Sequence, residues 1–122
     1  MEKITPQTNA FAAILAGGSG TRMGNPDKPK QFLLLGDVPI LVHTIEKFCV
    51  SGAFDAIYVL VPSLWLRQTE DILHKYCPEF TDLIRVVPGG DTRTETVECA
   101  VAAIKDSYVT DEETIIVTHD AV

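Results

Sequence analysis

Leu15-Ala16-Gly17-Gly18-Ser19-Gly20-Thr21-Arg22-Met23-Gly24 is the stretch on which the fold turns. It continues an apolar run, Phe11–Ala16, short enough for one buried strand and preceded by the polar Asn9. Glycines directly after a strand let the backbone approach a phosphate closely, with successive N–H groups pointing at it. A tight turn needing positive φ is the plainer use of glycine. Four glycines in eight residues, with Arg22 among them, exceed what a turn requires. Two familiar glycine loops do not fit. A dinucleotide fingerprint needs G-x-G-x-x-G, but the third position here is Met23, with Gly24 one place late. It also needs an acidic residue after the second strand, where this chain has Val61-Pro62. A P-loop needs G-K-[ST] closing the run, and none is present.

Outward from this loop, strands and helices alternate. A polar, proline-punctuated segment covers 25–31, and a helix is expected from Pro39, a residue favoured in the first turn. Its stripe is Leu41, Ile45, Phe48 and Cys49, and Ser51-Gly52 ends it. Ile57–Val61 reads as a second buried strand, stopped by Pro62. Leu64–Tyr76 is an amphipathic helix carrying Leu66, Thr69, Ile72, Leu73 and Tyr76 on one side, closed by Pro78. Leu83–Val87 is a third strand, leading into Pro88-Gly89-Gly90. Thr92-Arg93-Thr94-Glu95 has the form of a capping box, followed by Val97, Ala100, Val101 and Ile104 at helical spacing. Thr114–Thr118 is a fourth strand, expected to be buried. The sequence ends just beyond it, at Val122, as a fragment of a longer chain would.

This order predicts an α/β fold: a Rossmann-like parallel sheet with helices on both faces and right-handed crossovers, truncated at its end. Residues 1–122 form one part of a single domain. In such sheets ligands bind beyond the carboxyl ends of the strands, where the segments after Ala16, Val87 and Val117 all lie.

Composition narrows the function. Hydrophobic residues make up 46% and charged residues 22%, as in a soluble globular protein. The net charge of −7 argues against nucleic-acid binding, which needs broad basic surfaces. A small anion must be held by local cations against the global field. Cys49, Cys77 and Cys99 are odd in number and form no C-x-x-C pair, which suggests buried free thiols in a reducing cytoplasm. The polar start, Met1 to Ala10, carries no signal-peptide core, and no apolar run reaches the length of a membrane span.

The motif L-A-G-G-x-G-T-R-M resembles the nucleotidyltransferases that transfer NMP to sugar or polyol phosphates. Pro29-Lys30-Gln31-Phe32, Gly89-Gly90-Asp91-x-Arg93-x-x-Thr96-Val97 and Thr118-His119-Asp120-Ala121-Val122 narrow the likeness. Together they resemble the 2-C-methyl-D-erythritol 4-phosphate cytidylyltransferase family, which includes the ribitol-5-phosphate cytidylyltransferases. The resemblance runs from Phe11 to the last residue and covers the front half of the family. The ending T-H-D-A-V is closer to the ribitol enzymes, since the methylerythritol enzymes more often read V-H-D-A-A.

The resemblance implies a nucleotidyltransferase fold and transfer of CMP from CTP to a small polyol phosphate, with Mg²⁺ as cofactor and a homodimer in the full-length protein. It implies that Arg22 and Lys30 neutralise charge growing on the α-phosphate; Lys28 is a second cation close by, but the motif match falls on Lys30. Gly18 and Gly20 would offer amides to the phosphates, with Ala16 and Gly17 against the nucleoside. Gly90, Asp91 and Thr96 would contact cytosine, Arg93 would lie beside them, and Asp120 would hold Mg²⁺. Asp91 and Thr92 also stand where helix caps are common, and a cap can sit beside a ligand. His119 is expected to be structural, because a phosphate nucleophile is already ionised and needs no base. A sugar-1-phosphate nucleotidyltransferase shares the glycine loop, but Lys30-Gln31 and the 89–97 segment speak against it. The length leaves room for a non-catalytic nucleotide-binding fragment.

Overall fold

The first apolar run forms strand β1 (Ala10–Leu15), and it is buried because it has a strand on each side. In this computed structural model, which describes residues 2–16, 34–35 and 38–121, β1 pairs in parallel with β4 (Ala56–Val61) and β6 (Ile115–Asp120). Two short strands, β2 (Leu34–Leu35) and β3 (Val38–Pro39), form a separate antiparallel hairpin. That hairpin was not anticipated, although Gly36-Asp37 between the two strands is a recognised hairpin dipeptide. β5 (Ile84–Pro88) pairs in parallel with β4, and the described residues give the sheet order β5-β4-β1-β6.

Among the described residues three α-helices cover the two faces. Helix α1 (Ile40–Ser51) and α2 (Leu66–Tyr76) pack on one side, where Leu41, Val42, Ile45, Cys49 and Leu73 meet Ala12, Ile14, Ile57, Val59 and Val61. Helix α3 (Arg93–Ser107) covers the other, bringing Ala100 and Ile104 against Phe11, Ala13, Leu15, Tyr58 and Leu60. Alternate residues of β1 therefore feed two cores, which is why the strand is apolar throughout rather than every second residue.

The helix signals work as physical chemistry demands. Pro39 is the N-cap residue of α1 rather than its first turn, and Gly52 ends it in the left-handed region at φ 68°. Thr92 caps α3: its hydroxyl accepts from the Glu95 amide at 3.1 Å, while the Glu95 carboxylate accepts from the Thr92 amide at 3.2 Å. α2 begins two residues later than its periodicity suggests, because Ser63–Trp65 form a 3-10 turn that leaves Leu64 exposed.

One expectation is corrected. The fourth strand was expected to be buried, yet β6 is an edge among the described residues, with Ile115 58% and Val117 38% exposed. An apolar run specifies a strand; the burial of that strand depends on neighbours the run does not encode. Cys49 and Cys77 are buried free thiols, as expected, and burial pushes them up to about 12 and about 11; Cys99 is half-buried. Among the described residues no helix is long and apolar enough to cross a membrane.

Candidate functional site

From β1 the chain passes to β4 on one side, and it returns at β6 on the other. Connections leaving a strand pair in opposite directions open a crevice at the carboxyl edge, the usual ligand position in this class of sheet. Here the crevice lies between the ends of β1 and β6, where Leu15 and Asp120 stand opposite one another. The exits are firmly tied. The Ala121 amide donates to the Leu15 carbonyl at 3.1 Å, and the Ala16 amide to the Leu60 carbonyl at 2.8 Å. Ala16 is buried at the mouth of the glycine loop. Gly17, Gly18, Gly20, Arg22 and Lys30 lie outside the described residues.

The second motif sits at the same edge, after β5. The Gly89 amide donates to the Val61 carbonyl at 2.8 Å, so the loop starts as an extension of the sheet. It then folds back on the first turn of α3. The Gly90 amide donates to Thr96 Oγ1 at 3.1 Å, and that hydroxyl donates to the Thr92 carbonyl at 2.8 Å. A Cβ on Gly90 would fall 2.4 Å from Glu95 Cβ and 3.0 Å from the Glu95 carbonyl carbon. Helix and loop approach so closely that only glycine fits. Thr96 is buried and its hydroxyl is committed to this brace, while Asp91 is exposed at the tip.

The two motifs meet through α3. Arg93, the first residue of that helix, donates from Nη1 to Oδ1 of Asp120 in an ion pair whose side chains are both 60% exposed. The structure thus gathers Ala16, Gly90, Asp91, Arg93, Thr96 and Asp120 at one edge of the sheet. Gly90 pairs with Thr96, and Arg93 with Asp120.

Two further residues shape the exit of β6. Thr44 Oγ1 on α1 donates to the Ala121 carbonyl at 2.9 Å, anchoring the chain at the residue after Asp120. Sequence reasoning missed it; its signal is a hydroxyl placed beside the apolar stripe of α1. His119 Nδ1 lies 2.6 Å from the Asp120 carbonyl oxygen, so it is the donor there, and its ring meets Phe48 edge-on at 5.5 Å. That is a structural arrangement.

The donor set bears on the expected cation. Among the described residues no three His, Cys, Asp or Glu side chains cluster, so they offer no all-protein cage. Mg²⁺ keeps several waters and is commonly held by one or two carboxylates together with substrate phosphates. Asp120, exposed at the carboxyl edge of the sheet, fits a site of that kind.

Comparison with known proteins accords with this geometry. The family model for 2-C-methyl-D-erythritol 4-phosphate cytidylyltransferase matches residues 10–122. The chain belongs to that family. Among its cytidylyltransferase relatives, the ribitol-5-phosphate cytidylyltransferase of Lactiplantibacillus plantarum is 52% identical over 112 residues, covering 92% of this chain and 47% of that protein. A solved 4-diphosphocytidyl-2C-methyl-D-erythritol synthase superposes with a TM-score of 0.68 at 27% identity, covering 99% of this chain and 47% of its own. The corresponding synthase of Anaerococcus prevotii shares the fold with a TM-score of 0.66 at 24% identity, over 98% of this chain and 44% of its own. The chain thus spans about half the length of the cytidylyltransferases it matches.

Proposed function

We propose that the protein is a cytidylyltransferase that moves CMP from CTP to a polyol phosphate. The observation that carries this is the convergence of Ala16 at the start of the glycine loop, the Gly89–Thr92 loop and Asp120 on the carboxyl edge of the sheet, where the strand order reverses. Support for the acceptor comes from the 52% identity to a protein named for ribitol 5-phosphate, together with the ending Thr118-His119-Asp120-Ala121-Val122. We therefore favour ribitol 5-phosphate over 2-C-methyl-D-erythritol 4-phosphate.

In the proposed reaction an acceptor phosphate oxygen attacks the α-phosphorus of CTP. The bond from that phosphorus to the bridging oxygen breaks, and pyrophosphate leaves. Such transfer needs little beyond positioning and charge stabilisation. The amides of Gly18 and Gly20 would cradle the phosphates, while Ala16 and Gly17 lie against the nucleoside. Arg22 and Lys30 would neutralise charge on the α-phosphate. Cytosine would meet Gly90 and Asp91 at the tip of the second loop. Thr96 would act there with the lone pair its hydroxyl has left, or by holding Gly90 in place. Asp120 would hold Mg²⁺, which supplies charge neutralisation across the phosphates. In full length the protein would act as a cytoplasmic homodimer.

The test is release of pyrophosphate from CTP in the presence of Mg²⁺, offered each acceptor in turn. Turnover with ribitol 5-phosphate and loss of turnover when UTP replaces CTP are the expected results. Preference for UTP with a sugar 1-phosphate would overturn the assignment.

A further inference from the structure

Arg93 stands at the first position of α3, where a positive charge opposes the helix dipole. The local sequence gives no structural reason for it, since the cap is already made by Thr92 and Glu95. What Arg93 does have is Asp120, 27 residues further along the chain and at the end of another element. Both side chains are 60% exposed, so water and small ions reach the pair and it contributes little to holding the fold together. An exposed pair is a weak staple but an exchangeable one.

We propose that Arg93 is the stand-in counter-ion of Asp120: its guanidinium neutralises the carboxylate until a divalent cation takes that place, and it thereby sets how tightly the site takes the cation. This rests on Asp120 being the metal ligand of the proposed function. A guanidinium and a divalent cation repel one another, so on one small carboxylate each weakens the other's hold. The cation wins through its higher charge and preference for hard oxygen ligands. Exchange releases Arg93 two residues from Asp91, at the mouth of the base loop, the 89–92 segment proposed to meet cytosine. Its planar donors then suit the phosphate oxygens that accompany the cation. Arrival of the cation and remodelling of charge beside the base loop become one event.

The test uses Mn²⁺ alone as the probe, with free ion measured by electron paramagnetic resonance on the intact protein and no nucleotide present. Arg93→Gln keeps a polar side chain and removes the charge. It should bind Mn²⁺ about two- to five-fold more tightly than wild type, the ratio corresponding to an exposed ion pair. Arg93→Lys should stay near wild type. The Arg93→Gln advantage should narrow as monovalent salt rises and screens the pair. Equal or weaker binding by Arg93→Gln, or none, overturns the proposal. Asp120→Asn separates the two claims. If it binds Mn²⁺ as wild type does, Asp120 is not the metal ligand and both ideas fall. If it loses binding while Arg93→Gln is unchanged, only the stand-in role falls.

Discussion

At the residue scale, Thr96 shows how one hydroxyl can organise a loop. It accepts from the Gly90 amide and donates to the Thr92 carbonyl, tying the strand exit to the helix start while 3% exposed. Thr96→Val keeps the shape and removes both hydrogen bonds, leaving the Gly90 amide unsatisfied. A loss of about 1–3 kcal/mol in unfolding free energy is expected by chemical denaturation. CTP affinity should fall along with it, as read by calorimetry. Thr96→Ser should retain most of both properties, and a serine variant as impaired as the valine one would refute the role of the hydroxyl. In the sequence Thr96 stood out as a motif residue, but nothing in the motif said that its hydroxyl faces inward to the loop.

Elements show where local rules suffice. α1 ends because Gly52 adopts φ 68°, and open space surrounds the position where a Cβ would be added. Gly52→Ala therefore meets no clash, only backbone strain, partly offset by a less flexible unfolded chain. A loss of about 1 kcal/mol is expected, readable as a lower Tm. A loss several times larger would mean that the glycine also makes room for a neighbour. The Ser51-Gly52 stop, the capping box at Thr92 and the four apolar runs were legible because each is decided by contacts within a few residues. The hairpin of Leu34–Leu35 and Val38–Pro39 was passed over because two-residue strands carry too short a pattern to register as period two. The dipeptide Gly36-Asp37 in the sequence was the better clue.

Across the whole molecule the two ends of the sheet have different work. The carboxyl edge gathers the candidate site, and the amino edge is laced by polar contacts. Asp55 accepts from the Gln7 amide at 2.8 Å, the Thr8 amide at 3.0 Å and the Thr8 hydroxyl at 2.7 Å, pinning the segment that leads into β1. Asn9, at φ 57°, bridges to Asp111 and Thr114 beside the start of β6. Partial burial raises the Asp55 pKa, but the Thr8 hydroxyl and the amides of Gln7 and Thr8 outweigh it, so the carboxyl titrates below its usual 3.8. The lowered folded pKa means the unfolded chain takes up the proton first. The stabilisation is therefore full above pH about 3.8 and disappears as pH falls through the lower folded value. Asp55→Asn should lower Tm relative to wild type at neutral pH, with the gap closing below pH about 3.8. A gap constant through that range would show that the ionised carboxylate is not what matters.

The sequence alone determined the alternation of strands and helices, the parallel sheet with both faces covered, and the three motifs at its carboxyl edge. These follow from periodicity, caps and glycine chemistry, all of which act over a few residues. Only the tertiary structure decided that β6 is an edge among the described residues, that Thr44 anchors the residue after Asp120, and that Arg93 reaches Asp120 across 27 residues. Burial and long-range pairing depend on which element the fold lays beside which, and no local pattern of side chains carries that information.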